Sequence, residues 1–164
     1  LIKRRISKGL LLMAGFLGVT SPADPDPRPA EYTAQTDPRL IRIRQYFIEK
    51  GSPAHLYAAD FVHAADQNNL DWRLLPSISM IESTGGKAAR NNNFFGWDNG
   101  NQRFRTAREG IYRVAARLSN SPYYRNKDVE EMIRVYNPRQ DYLPTVKSVM
   151  NRLGPAELVP AGVF

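Results

Sequence analysis

Residues 74–86 read Leu74-Leu75-Pro76-Ser77-Ile78-Ser79-Met80-Ile81-Glu82-Ser83-Thr84-Gly85-Gly86. Leu74, Leu75, Ile78 and Ile81 recur at helical spacing and mark one buried face. Pro76 has no N–H to donate and is tolerated only in a first turn, so the helix starts just before it, with Asp71 at its approach. Gly85-Gly86 ends it. Glu82 lies four positions after Ile78 and eight after Leu74, so it continues the apolar stripe with a carboxyl group. It also stands at the helix C-terminus, where the macrodipole opposes negative charge. Burial and dipole together favour the protonated acid, the form a general acid needs near neutral pH. The competing reading turns Glu82 outward into water beside Ser83 and Thr84.

The segments on either side carry the same 3.6-residue period. Asp37 caps a first helix with Pro38 at its first position; Leu40, Ile43 and Phe47 form its face and Gly51 stops it. Ser52-Pro53 starts a second helix bearing Tyr57, Phe61, Ala64 and Ala65. Beyond residue 86, a polar, glycine-rich connection runs from Gly85 to Asn101. Thr106 and Glu109 then form a T-x-x-E capping box ahead of Ile111, Val114, Ala115 and Leu118. Val129, Met132, Ile133 and Tyr136 make a short fifth helix; Val146, Val149, Met150 and Leu153 make a sixth, closed by Gly154-Pro155. Strand signals are nearly absent. The expected fold is a compact all-α domain of about six helices, with a long loop lining a cleft.

The 164 residues suffice for one folded domain, placed at 37–155. With no cysteine, disulfides, thiolate nucleophiles and Cys-ligated zinc are excluded. The two histidines, His55 and His63, suit a surface helix better than a metal centre, so no cofactor or metal is expected. Net charge is +7, but Lys3, Arg4, Arg5 and Lys8 supply four of those charges. They precede an apolar run from Gly9 to Val19, shorter than the roughly 20 residues that span a bilayer and suited to a signal h-region. Residues 1–21 therefore read as a signal peptide or an N-terminal membrane anchor, and export to the cell envelope or beyond is expected. Pro22, Pro25, Pro27 and Pro29 make residues 22–36 an extended linker, and 156–164 read as a C-terminal tail. Because so much of the charge sits in the leader, no nucleic-acid partner is inferred from it. A DNA-binding helical protein would need exposed Arg and Asn on one helix face, whereas here the polar cluster lies in a loop beside aromatics.

That cluster is Asn91-Asn92-Asn93-Phe94-Phe95-Gly96-Trp97-Asp98. Aromatic rings stack on sugar faces and amides read hydroxyl and N-acetyl groups, so a groove built from both fits a carbohydrate. Phe94 and Phe95 can also be core anchors beneath the loop, and at least one of them is expected to be; Trp97 is the better exposed stacker. Asp98 is a candidate second carboxylate. Taken with Leu75–Gly86, Phe104 and Tyr136-Asn137-Pro138, the chain resembles the lysozyme-like superfamily of peptidoglycan-cleaving enzymes over about residues 38–153. It looks most like the bacterial group of glucosaminidase-type autolysins and lytic transglycosylases. The resemblance implies Glu82 as catalytic acid, followed by Ser83, with Asn93-Phe94-Phe95-Gly96 walling the cleft. It also implies a Tyr136 hydroxyl near the acid or the sugar's N-acetyl group, with Asn137 beside it. Where transglycosylases carry a Gly-Leu-Met-Gln-like segment this chain has Phe95-Gly96-Trp97, and their Tyr-Asn-Ala-Gly appears as Tyr136-Asn137-Pro138-Arg139. Both differences place it nearer the autolysins.

The expected activity is cleavage of a β-1,4 bond between N-acetylated sugars of peptidoglycan glycan strands. Glu82 and Tyr136 are the catalytic candidates, with Asp98, or behind it Asp128 and Asp141, as a water-activating base. Ser83, Asn93, Phe94, Phe95, Gly96, Trp97 and Asn137 are the candidate substrate contacts. Transglycosylase or muramidase action on the same polymer, and a non-catalytic wall-binding module, are the alternatives. Seven basic residues between Lys87 and Arg117 face only Asp98 and Glu109; they either hold the protein on an anionic wall or form a solvated helix face.

Overall fold

The computed structural model describes residues 37–158. The leader 1–21, the linker 22–36 and residues 159–164 lie outside them. Six α-helices follow in order: α1 (Pro38–Glu49), α2 (Ala58–Gln67), α3 (Leu74–Ser83), α4 (Ala107–Asn120), α5 (Val129–Tyr136) and α6 (Tyr142–Leu153). Among the described residues there is no strand, only an isolated bridge between Arg90 and Asn93. The all-α expectation holds.

α3 is the central element. Leu74, Leu75, Pro76, Ser77, Ile78 and Ser79 are all buried, so the helix is enclosed on nearly every side through its first half. It packs on α6, while α2 packs on α4 and α1 packs on both α2 and α6. Phe47, Phe61, Phe95, Leu75, Ile78, Ile111, Leu118 and Leu153 fill the shared core.

The local start signals work as side-chain caps. Asp37 accepts from the Arg39 N–H at 2.9 Å, and Pro38 occupies the first turn. The Arg39 guanidinium turns back to Asp37 (2.8 Å) and reaches Asp66 at the end of α2 (2.7 Å), riveting one helix start to another helix end. Burial opposes that charge; hydrogen bonds to Asp37 and Asp66 more than offset it and hold the guanidinium above the usual arginine range. Asp128 and Glu131 form a complete, reciprocal capping box on α5. The box expected on α4 is only half formed: Thr106 accepts from Glu109 N, but Glu109 reaches past the cap to the Arg105 N–H.

Three expectations are corrected. The helix begun by Ser52-Pro53 is split into a 3-10 turn, Pro53–Tyr57, and α2; the Ser52 hydroxyl caps that turn at the Ala54 N–H and donates to the Gly85 carbonyl. The packed chain does not stop at 155: Trp72 Nε1 donates to the Ala156 carbonyl at 3.2 Å, and Leu158 packs on the core. The N-terminal membrane anchor is not retained. Among the described residues no helix is long and apolar enough to cross a membrane, and residues 1–21 lie outside them.

α3 ends in a left-handed turn. Thr84 takes φ +54°, its N–H and that of Gly85 return to the carbonyls of Met80 and Ser79, and Gly85 takes φ +60°. The Gly85 carbonyl accepts from the Ser52 hydroxyl at 2.7 Å and from Ala54 N–H at 3.1 Å. A Cβ at position 85 would lie 2.1 Å from Ser52 Oγ and 2.7 Å from Phe47 Cε1. Gly85→Ala should therefore cost about 2–5 kcal/mol, from the left-handed backbone and from overpacking together. Urea unfolding at unchanged m-value would measure it, and a loss within experimental error would disprove the clamp. Ser77 has the opposite problem: its Oγ is buried with no hydrogen-bond partner among the described residues. Ser77→Ala should raise stability by about 1 kcal/mol, read as a higher melting temperature.

Candidate functional site

Glu82 occupies the last turn of α3, half-buried, between a loop and α6. Its Oε1 accepts a hydrogen bond from the Tyr142 hydroxyl at 2.6 Å. Its Oε2 lies against the Cα of Gly96, since a Cβ built there would stand only 2.8 Å away. The carboxyl group is thus held from two sides and faces a cleft of about 580 Å³. That cleft is lined by Glu82, Arg90, Asn91, Asn99 and Asn101, with Ser83, Ala88, Asn93, Gly96 and Gly100 completing the wall. A second hollow of about 230 Å³ shares Gly96 and Asn99 with it and is lined otherwise by Trp97, Asp98, Tyr124 and Tyr136. Gly96 is the ridge between an amide-rich half and an aromatic half, and Glu82 sits at that ridge.

The loop is held in this shape by side chains that the sequence had offered as ligand contacts. The Ser83 hydroxyl is buried; it lies 2.8 Å from the Phe94 carbonyl and 3.2 Å from that of Ser79, and accepts from Gly86 N–H. Asn93 is 3% exposed. Its amide donates to the carbonyls of Trp97 and Gln102, and its oxygen accepts from Trp97 N–H. Phe95 is completely buried, in edge contact with Phe61, and Phe94 is nearly so, against Tyr57. All four hold the wall in shape, and of them Ser83 and Asn93 also line the cleft. The amide run has a backbone cause as well: Asn91 and Asn92 both take left-handed φ, which asparagine tolerates better than most residues, and Asn92 Nδ2 spans to the Phe104 and Arg105 carbonyls.

Trp97 keeps part of its surface and stands edge-on to Tyr136 at 5.7 Å, with the Arg117 guanidinium 5.7 Å over its ring. Tyr136 lies flat against Tyr142, ring centroids 6.1 Å apart. Its hydroxyl donates to the Phe95 carbonyl and not to Glu82. The hydroxyl that reaches the acid is Tyr142's. That residue was legible in principle: it lies one helical turn before Val146 and so heads the apolar stripe of α6 with a polar-tipped ring.

Of the candidate second carboxylates, Asp98 is exposed in a left-handed turn and lines the aromatic hollow, not the cleft half that Glu82 faces. Asp128 is engaged as the cap of α5, and Asp141 pairs with Arg139 at 2.7 Å. Asn137 ends α5 and accepts from the Arg139 N–H. His55 and His63 bond separately, to the Ser52 carbonyl and the Tyr112 hydroxyl. Among the described residues no group of three or more His, Asp or Glu could hold a metal ion.

No model of a known protein family matches the chain, and no curated protein matches it.

Burial first, then the hydrogen bond to Glu82 and the charge of that group, push the Tyr142 hydroxyl well above the usual phenol range; burial and Glu82 do the same to Tyr136. Tyr142 is therefore a fixed proton donor at neutral and moderately alkaline pH. The stabilisation is complete below the ordinary phenol value of about 10 and is lost only as pH climbs through the raised one. Ultraviolet titration of the native protein between about pH 9 and 11 should accordingly show the same number of ionising tyrosines before and after Tyr142→Phe. One fewer in the variant would mean that Tyr142 titrates normally.

Proposed function

We propose that the protein cleaves β-1,4 glycosidic bonds between N-acetylated sugars of peptidoglycan, with Glu82 as the general acid. The observation that carries this reading is the seat of Glu82: a carboxyl group on a rigid helix end, bonded by Tyr142 and packed on Gly96, at the meeting line of an amide-rich cleft and an aromatic hollow. Such a trough offers ring faces for sugar stacking and amides for hydroxyl and N-acetyl groups, while the acid stands where a strand would cross the ridge. With Phe94 and Phe95 in the core, stacking falls to Trp97, and Tyr124 and Tyr136 extend that wall.

In the proposed reaction Glu82 gives its proton to the glycosidic oxygen, the C1–O bond breaks, and positive charge develops at C1. An inverting enzyme would set a second carboxylate about 6.5–9.5 Å from the first to activate water. Among the described residues Glu82 is the one carboxylate lining its cleft. A one-carboxylate route fits better: the carbonyl oxygen of the substrate's own N-acetyl group bonds C1, and water, or the sugar's own hydroxyl in the transglycosylase variant, later displaces it. Tyr142 is the positioning residue for the acid. Tyr136 serves through its ring, stacked on Tyr142 and edge-on to Trp97. This reading carries export with it, on the sequence of residues 1–21.

Glu82→Gln should lower fragment release from isolated peptidoglycan by at least about 100-fold while leaving the melting temperature nearly unchanged. Substantial release by that variant would remove Glu82 as the acid. Gly96→Ala tests the seat itself. At φ +59° with its Cβ 2.8 Å from Oε2, alanine must displace the carboxyl group. Turnover should fall roughly 10- to 100-fold for a loss of about 1–2 kcal/mol in stability. Mass spectrometry of the released fragments distinguishes hydrolysis from a 1,6-anhydro product.

A further inference from the structure

The two halves of the trough carry different charged side chains. Among the described residues, the amide-rich half is lined by one cation, Arg90, beside the carboxyl group of Glu82, and the aromatic half has Asp98 as its one charged residue. Four other arginines of this region are engaged: Arg105 and Arg113 with Glu109, Arg108 with Asp60, and Arg117 over Trp97. Arg90 has no carboxylate within ion-pair distance among the described residues, and its side chain is exposed. Its backbone is held: the Arg90 carbonyl accepts from Asn93 N–H at 2.9 Å, and Asn93 is itself locked into the loop. A guanidinium on a fixed base, open to a concave wall that is amide-rich and whose one carboxyl group, Glu82, is held by Tyr142, is a ready partner for a carboxylate, which it can grip with two parallel hydrogen bonds. Asp98 disfavours an anion at the other end.

We propose that Arg90 is a specificity-determining residue that binds a carboxylate carried as a substituent on the glycan. The trough then prefers a strand of N-acetylated sugars bearing acidic side chains over a neutral strand, and lays the acidic substituent in the amide-rich half. The inference rests on the glycan reading of the trough and deepens it by naming the charge of the substrate and the group that reads it.

The test is equilibrium binding to the full chain carrying Glu82→Gln, so that the ligands are not consumed. Three probes are compared: an N-acetylglucosamine hexamer, a peptidoglycan strand of equal length bearing peptides with free carboxylates, and the same strand with those carboxylates amidated. The acidic strand should bind roughly fivefold to tenfold tighter than the amidated one, and added salt should shrink the difference. Arg90→Gln should erase the difference, and Arg90→Lys should retain part of it. Equal affinity for acidic and amidated strands, a preference that survives Arg90→Gln, or no binding of any probe overturns the proposal. Should Arg90→Gln fail to fold, the salt dependence and the Arg90→Lys comparison decide alone. If the acidic preference is present but wild type releases no fragments, cleavage fails and the carboxylate site stands; release without the preference gives the converse.

Discussion

The end of α3 is held by two serines on opposite sides. Ser52 donates to the Gly85 carbonyl from the α1 side, and Ser83 reaches the Phe94 carbonyl from within the helix. Neither bond is strong in net terms, about 1 kcal/mol each. Their effect is geometric. Together they set where the chain leaves the helix and where the following loop returns, and that return brings Gly96 against the carboxyl group of Glu82. The left-handed turn at Thr84-Gly85 and the packing of Gly86 on the Phe94 ring follow from the same closure.

The loop that follows is rigid for a reason unlike that of the helices. It has almost no regular hydrogen bonding, so its polar backbone groups must be satisfied by side chains. Asn93 satisfies three such groups and Asn92 two, while Phe94 and Phe95 anchor the segment in the core. This division of labour leaves Trp97, Asn99, Asn101 and Arg90 to line the surface. The proposed sugar binding on so few residues depends on that preorganisation, because a floppy loop would lose in ordering entropy much of what each contact contributes.

The acid and its tyrosine form one unit with the aromatic wall. Tyr142 bonds Glu82, stacks on Tyr136, and Tyr136 in turn meets Trp97 and the Phe95 carbonyl. A ring-to-ring chain therefore runs from the proposed proton donor to the proposed sugar platform. Charged groups are distributed along the same line, with Arg90 and Glu82 in one half of the trough and Asp98 in the other.

Helix number and placement were readable along the chain because each depends on near neighbours: a cap at Asp37 or Asp128, a 3.6-residue stripe, a glycine stop. Glu82 was readable for the same reason, as a carboxyl group on an apolar stripe. Which of Tyr136 and Tyr142 meets the acid was not, although Tyr142 could be seen heading the α6 stripe: both rings lie at ends of short helices, and only the packing of α5 on α6 decides which hydroxyl points at it. Nor was the inward turn of Asn93, Phe94 and Phe95. Their types suit a ligand wall and a buried loop anchor equally, and burial is a property of what folds over them. Local sequence determined the elements and the candidate acid; long-range packing alone decided which side chains meet it, because contacts between residues 82, 96 and 142 exist only once α3, the loop and α6 have come together.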